Sequence, residues 1–192
     1  MKQDVPLNIA HRLLAGGPVV LVTVTAGELV EVTTVAWTAP LSLNPLLVGV
    51  GVFPYHFAHD LIDDAEEFVI NVVPEDILKQ ARYCGSVSGR EVDKLKQTGL
   101  TPATAQEVRA PLLEECIGHL ECGLVDRHKF GDHTLFVGQV LAASAESDLF
   151  DVAWKVTERE LRPAVHLGKN YYTVWEERFE PPPESESETT SG

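Results

Sequence analysis

The sequence is poor in basic residues. Only 15 of its 192 residues are Lys or Arg, against 29 Asp or Glu, so its formal charge at pH 7 is -14. A surface this acidic repels phosphate backbones and anionic lipid, which argues against nucleic-acid binding and against membrane binding. Any anionic ligand would therefore need a small, local positive site.

The sequence also lacks targeting signals, long apolar runs and paired cysteines. The start, Met1-Lys2-Gln3-Asp4, has no apolar run behind it and does not resemble a signal peptide. The longest apolar stretches, Pro18 to Val24 and Pro45 to Phe53, are far shorter than the roughly 20 residues that span a bilayer. Three cysteines leave one unpaired under any pairing, which disfavours a secreted disulfide scaffold. We therefore expect a cytoplasmic protein with reduced thiols.

Length and composition predict a single folded domain with a short appendage, since domains average about 150 residues. Hydrophobic residues make up 44% of the chain, which is ordinary for a protein with a real core. We predict one domain over residues 1–178. The remainder, 179–192, is dominated by Pro, Glu and Ser and has little apolar surface to bury, so it is predicted to be a disordered acidic tail.

The hydrophobic pattern predicts a mainly β fold, an antiparallel barrel with short inserted helices. Strands and helices do not alternate as a Rossmann or TIM arrangement requires, whereas neighbouring strands fit hairpins. The predicted strands cover 19–25, 29–35, 46–53, 67–73, 117–125, 134–142 and 170–174. The two long strands 117–125 and 134–142 are predicted to be linked through residues 128–133. Short helices are predicted over 7–14, 58–65, 75–82 and 91–99, the last one closed by a glycine.

One candidate site is the hydroxyl-rich segment around Trp37. The stretch 36–45 contains two prolines, Pro40 and Pro45, which predicts an ordered loop whose backbone groups are free of any ladder. Unpaired backbone groups and hydroxyls could form hydrogen bonds with a flat heteroaromatic ring. Equally, Trp37 could be a core or interface aromatic, and the threonines could simply favour strand.

A second candidate site is the predicted loop from Tyr83 to Gly89. Its glycines and serines could present several N–H donors to an anion, with Arg90 and Lys94 supplying positive charge nearby. A ligand phosphate is the natural occupant. The alternative is a Ser/Gly turn with solvated charges, and the spacing does not match a Walker loop.

Metal binding and cysteine nucleophiles are disfavoured. His56 and His59 are three positions apart, and His128 and His133 five, but no Cys-x-x-Cys or His-Glu-x-x-His set is present. No glycine elbow or papain-like segment surrounds Cys84. We predict no metal site and no catalytic cysteine.

Taken together in order, these segments resemble the flavin reductase-like family, in particular its flavoredoxin branch. The similarity runs to about Tyr172 and so covers nearly the whole chain. Several separated motifs in register make it more specific than any one of them. The matching segments are 33–45, 67–72, 83–94, 110–111 with 120–122, and 131–138.

The resemblance implies an FMN-binding split β-barrel of Greek-key type, a homodimer with FMN near the subunit interface. The flavin carries the redox chemistry in such proteins, so no catalytic side chain is predicted. By position, the flavin would be contacted by Thr33, Trp37 and Thr38, and its ring would be lined by Ala39, Pro40, Leu41 and Ser42. The other edge of the ring would be covered by Cys84, Gly85, Ser86, Val87 and Ser88. The phosphate would be bound by Lys94, and the ring would be flanked by Tyr171.

The resemblance leaves the activity open between three possibilities. The first is an NAD(P)H-dependent flavin reductase, in which NADH or NADPH reduces bound FMN and an acceptor takes the electrons. The second is a flavoredoxin-type electron carrier that exchanges electrons with a redox partner protein. The third is a barrel that stores flavin or has lost it.

This chain also departs from relatives that carry a basic residue near 54–56, where it has Pro54-Tyr55-His56.

Overall fold

Strands make up most of the computed structural model, which describes residues 2–156 and 162–177. The β-branched residues predicted to form strands do so, and the first two strands form the predicted hairpin. The strands of the described residues are β1 Val20–Ala26, β2 Leu29–Val35, β3 Thr38–Leu43, β4 Leu46–Val52, β5 Glu67–Val72, β6 Pro102–Ala103, β7 Leu112–Leu113, β8 Gly118–Phe130, β9 His133–Ala145, β10 Ala164–Gly168 and β11 Tyr171–Val174.

Seven strands form one antiparallel sheet in the order β2-β1-β5-β8-β9-β4-β3. The strands β2 and β3 are its two edges, although β2 also contacts β4 because the sheet curls round. The sheet is therefore a barrel that is open between β2 and β3. This arrangement confirms the prediction of an antiparallel barrel with short inserted helices.

Four short helices interrupt the strands. The first continues directly into a 3₁₀ turn, His11–Leu14, and the third follows a 3₁₀ turn, Glu75–Ile77. Asp93 caps the fourth helix, and Gly99 ends it in the left-handed conformation, as its sequence predicted. The helices are α1 Leu7–Ala10, α2 Phe57–Ala65, α3 Leu78–Ser86 and α4 Lys94–Thr98.

Two buried clusters lie on opposite faces of β1, because successive side chains of a strand point in opposite directions. Val20 and Val22 belong to the cluster that includes the apolar side chains of α2. Leu21 belongs to the other cluster, together with Ala81 and Cys84 of α3. This second cluster fixes the C-terminal end of α3 beside the edge strand β2.

The prediction of a free loop over 36–45 is wrong. Thr38 to Leu43 form β3, which pairs with β4 from Thr38↔Val50 to Leu43↔Leu46. The proline is accommodated because β3 is an edge strand and its register shifts between Pro40 and Ser42. Only the outer side of this segment is free of a ladder.

Two further predicted loops are shorter than expected. The segment from Tyr83 to Ser86 belongs to α3 rather than to a loop, and Gly85 permits this because a Cβ there would meet the Cβ of Thr34 at 3.0 Å. The link 128–133 shrinks to the two residues Gly131 and Asp132, so that β8 and β9 are both longer than predicted. The pattern also missed β10, the partner of β11.

The two chain ends differ in what the structure says about them. The tail predicted over 179–192 lies outside the described residues. At the other end, Leu7 and Leu14 of the predicted first helix are not buried within this chain, since both are about nine-tenths exposed. In 2–156 and 162–177, none of the helices has the length and apolar character needed to cross a membrane.

Candidate functional site

A cavity of about 210 Å³ lies where β2, the end of α3, the start of α4 and the segment before α2 meet. We call it the lysine cavity. Seven of the predicted site residues line it, which brings together the threonine of the first candidate segment and most of the second segment. Its lining residues are Glu31, Thr33, Tyr55, His56, Phe57, Cys84, Gly85, Ser86, Val87, Ser88 and Lys94.

Lys94 is buried at the wall of this cavity and makes three hydrogen bonds. Its Nζ donates to Glu31 Oε1 at 2.7 Å, to the Val32 carbonyl at 2.8 Å and to the Cys84 carbonyl at 2.8 Å. An ammonium group has three N–H donors, so all of them have partners within the chain. Lys94 therefore ties β2 to the end of α3, and any ligand anion must share its ammonium group with these acceptors.

Glu31 forms a buried ion pair with Lys94, and both side chains are 2–3% exposed. The carboxylate also lies against Gly89, where a Cβ would come within 1.7 Å of Glu31 Oε2. No side chain could occupy position 89 without displacing the carboxylate. Glycine at this position is therefore a requirement of the ion pair.

The other groups around the cavity carry little net charge. Burial, followed by the charges of Lys94 and His133, lowers the pKa of His56, so its imidazole is neutral at pH 7. Burial raises the pKa of the Cys84 thiol to about 11, which keeps it protonated. Arg90 lies over the ring of Phe57, with its Cζ 4.4 Å from the ring centroid, and pairs with Asp60. Each cation at this cavity thus has a carboxylate partner.

Further cavities continue from the lysine cavity along β2. One of about 290 Å³, the bridge cavity, shares Gly85 and Ser86 with it and is also lined by Thr34, Ala36 and Tyr172. The next, of about 360 Å³, shares Ala36 with the bridge cavity and extends to Trp37 and Thr38; we call it the tryptophan cavity. Its lining residues are His11, Arg12, Leu14, Ala15, Gly16, Gly17, Ala36, Trp37, Thr38, His166, Gly168 and Lys169.

Aromatic rings surround Trp37 at this end of the site. Its ring lies 4.5 Å from that of His133 and 5.9 Å from that of His11, and Phe53 lies 5.5 Å from His133. A further cavity of about 360 Å³ is mostly apolar, and its lining residues include Trp37, Thr38 and Ala39. Trp37 is about half exposed. This region offers ring surfaces rather than charge.

The structure brings most but not all of the predicted residues to this run of cavities. Thr33, Cys84 to Ser88 and Lys94 line the lysine cavity, and Trp37 to Ala39 line the cavities at the aromatic end. Pro40, Leu41 and Ser42 continue along the edge strand β3 and are not among these lining residues. Tyr171 is 70% exposed on β11, whereas its neighbour Tyr172 lines the bridge cavity.

Sequence reasoning missed Glu31 and did not assign roles to His56 or His133. A signal for Glu31 was present, because it lies two positions before Thr33 in a predicted strand and therefore on the same face. No comparable signal pointed to His133, which reaches Trp37 only through the pairing of β9 with β4. Within the described part of the chain, no group of three His, Cys, Asp or Glu residues could hold a metal ion.

Comparisons with known proteins identify the family to which this open barrel belongs. The model of the flavin reductase like domain matches residues 12–174, and the chain belongs to this family. It is similar to an NADH-dependent FAD reductase from Streptomyces globisporus, with 30% identity over 127 residues that cover 66% of this chain and 68% of the relative.

Two solved structures share the fold. An FMN-binding protein from Thermus thermophilus, crystallised with 1-cyclohex-2-enone, has a TM-score of 0.81 and 32% identity over 94% of this chain and 98% of that one. A flavoredoxin from Methanosarcina acetivorans also has a TM-score of 0.81, with 24% identity over 96% of this chain and 97% of that one. The family resemblance and the fold class inferred from the sequence are therefore confirmed.

Proposed function

We propose that this chain binds FMN and acts as an NAD(P)H-dependent flavin reductase, with NADH or NADPH as the electron donor. Membership of the flavin reductase like family supports an oxidoreductase. The observation that carries the proposal is the series of neighbouring cavities from Lys94 to Trp37, each sharing lining residues with the next, which has a polar end and an aromatic end. FMN has the same polarity, with a phosphate at one end and a tricyclic ring at the other.

The polar end fits a phosphate and a ribityl chain. Thr33, Ser86 and Ser88 place hydroxyl groups around the cavity, and Lys94 supplies a cation at its wall. Gly85 lines the same cavity, and its lack of a side chain lets the end of α3 pack closely against Thr34 of β2. Hydrogen bonds to a charged group contribute about 1.5 to 3 kcal/mol each, which is enough to fix one end of the cofactor.

The aromatic end fits a flavin ring. Trp37 is half exposed beside mostly apolar cavity walls, and Thr38 and Ala39 follow it along an edge strand whose outer backbone groups can hydrogen-bond. Aromatic pairs contribute about 0.5 to 1.5 kcal/mol beyond the area that they bury. Recognition at this end therefore depends on ring contact, and recognition at the other end on charge.

Bound FMN would supply the redox chemistry, since its ring accepts a hydride and releases electrons singly or in pairs. The protein's own residues bind and orient. The Cys84 thiol stays protonated, because its pKa is about 11, and so it does not act as a nucleophile toward the ring. We assign no catalytic acid or base.

We also propose that the chain forms a homodimer whose interface borders the aromatic end of the site. Leu7, Leu13 and Leu14 are 90%, 73% and 91% exposed, and Leu14 also lines the tryptophan cavity beside Trp37. Apolar side chains that protrude together mark interaction surfaces more often than isolated ones do. A second copy that covers these leucines would also enclose the ring end of FMN.

An absorbance spectrum followed by anaerobic reduction tests the proposed activity. The purified protein should show visible flavin bands, either directly or after it is loaded with FMN and passed through a desalting column. Addition of NADH or NADPH should bleach these bands, and air should restore them. Steady-state turnover with either nucleotide supports the reductase.

The same experiment distinguishes the other two functions. Flavin that neither nucleotide reduces, but that a partner reductase does, would show a flavoredoxin-type carrier. Protein that remains colourless after loading would show that the chain does not hold FMN and would overturn the proposal.

A further inference from the structure

Only one of the three acceptors around Lys94 can give way to a ligand. The carbonyls of Val32 and Cys84 are fixed in β2 and α3, where the backbone positions them. The third acceptor is the Glu31 carboxylate, which lies at 2.7 Å and lines the lysine cavity itself. A phosphate at Lys94 therefore has to share the ammonium group with a second anion.

The charged and titratable groups that face Glu31 from the neighbouring elements do not supply a second cation to neutralise its carboxylate. Arg90 lies farther out and pairs with Asp60, and the Cys84 thiol on α3 is protonated at neutral pH. His56, from the segment before α2, is neutral because its pKa is lowered. Lys94 on α4 is thus the one cation in direct contact with Glu31 among the described residues.

Two neighbouring anions in a buried site do not both stay ionised, because each destabilises the charge of the other. Glu31 is the group that can respond, since burial already raises the pKa of its carboxyl, and Lys94 opposes this only in part. A dianionic phosphate next to it would raise that pKa further. Protonation would leave Lys94 facing the phosphate as its only anionic partner.

We propose that Glu31 takes up one proton when the phosphate of FMN binds at Lys94, so that the cavity accepts the anion and the proton together. This inference rests on the proposed function. It makes Glu31 a positioning residue, one that acts through Lys94 and links flavin affinity to pH. Riboflavin, which has the same ring without the phosphate, should bind without proton uptake.

The direction of the pH dependence follows from the linkage. Binding raises the pKa of Glu31, so FMN affinity is greatest below the pKa of the free protein and falls as the pH rises through the pKa of the complex. The dissociation constant should increase by up to about tenfold per pH unit in that window. The phosphate itself gives no such trend at about pH 7.5, because its second pKa is about 6.

Isothermal titration calorimetry in buffers of different ionisation enthalpy counts the protons directly. For FMN and the unmodified protein at about pH 7.5 we expect uptake of a fraction of one proton, which increases toward one between the pKa of Glu31 in the complex and its pKa in the free protein and vanishes below the latter. Glu31→Gln, which retains an amide oxygen for Lys94, should abolish the uptake and flatten the pH dependence. The matched control is Glu28→Gln, an exposed position in the β1–β2 turn that should behave as the unmodified protein does.

The possible results separate this inference from the proposed function. FMN that binds without proton uptake, or with the same uptake in Glu31→Gln, overturns the role of Glu31 and leaves FMN binding intact. Failure of both FMN and riboflavin to bind overturns the proposed function instead. If Glu31→Gln does not fold, the comparison of FMN with riboflavin on the unmodified protein still decides, since equal proton counts contradict the inference.

Discussion

The two ends of the candidate site are built in opposite ways. The lysine cavity is lined largely by polar residues, and its central ion pair is almost completely buried. Trp37 is about half exposed, and its cavity is bordered by Leu14 of the 3₁₀ turn after α1, which is 91% exposed. The first end is specified by internal charge pairing, whereas the second is the end that we propose a ligand and another copy of the chain complete.

This difference predicts which substitutions change stability and which change binding. Changes at the polar end should act first on folding, because a buried charge that loses its partner destabilises the whole domain. Changes at the aromatic end should spare folding, because exposed rings contribute little to it. The following variants test the contrast, from the largest expected effect to the smallest.

Lys94→Met should lower the free energy of unfolding by about 3 to 5 kcal/mol at neutral pH, because it leaves the Glu31 carboxylate buried without a partner. The loss should shrink as the pH falls, since protonation removes the buried charge. Urea unfolding measures both effects. Lys96→Met, on the exposed face of the same helix, is the control. An equal cost for the two variants would contradict the structural role of the ion pair.

Leu14→Asp should weaken self-association by about 1.5 to 3 kcal/mol per buried side chain, without lowering the stability of the monomer. Sedimentation velocity over a range of protein concentrations measures the dissociation constant. Leu29→Asp introduces the same charge at a partly exposed leucine of the β1–β2 hairpin and serves as the control. A protein that is monomeric before any substitution would refute the proposed interface.

Gly89→Ala should destabilise the fold by about 1 to 3 kcal/mol, because the added methyl group would overlap Glu31 Oε2 and displace the ion pair. The melting temperature reports the change. Gly123→Ala in β8 is the comparison, since its new Cβ would meet only the flexible Leu141 side chain at an ordinary 3.4 Å. Similar melting temperatures for both variants would show that position 89 does not constrain the carboxylate.

Trp37→Ala should have the smallest effect on the fold and a modest effect on flavin binding, about 0.5 to 1.5 kcal/mol. The loss should be the same for FMN and riboflavin, because both have the ring that Trp37 is proposed to contact. Flavin fluorescence titrations give the two dissociation constants. A loss of affinity for FMN alone would show that Trp37 acts on the phosphate and not on the ring, which would contradict the proposed difference between the two ends.

The sequence predicted the strands well because their β-branched residues leave few alternatives to a sheet. It failed for β3, where two prolines suggested a loop, because the tolerance of an edge strand for proline depends on where that strand lies in the finished sheet. The end of α3 was missed for a similar reason, since Gly85 looks like a helix breaker until Thr34 is seen to pack against it.

The sequence predicted several residues that the fold brings together, but it did not predict how they pair. Trp37 and Lys94 lie in or beside segments singled out by local composition, the family resemblance gave Thr33, Trp37 and Lys94 their implied roles, and all three line the cavities described above. The partner of Lys94 is Glu31, which is 63 positions away in the chain, so neither periodicity nor spacing could reveal the contact. The expected local positive charge is consequently balanced by a carboxylate that only the folded structure identifies.

The central claim is that one end of this site recognises phosphate and the other a flavin ring. Parallel titrations of the unmodified protein with FMN and riboflavin test it most directly. We expect both to bind, with FMN tighter by about tenfold or more, which corresponds to at least one hydrogen bond to a charged group. Equal affinities for the two flavins, or no binding of either, would contradict the claim.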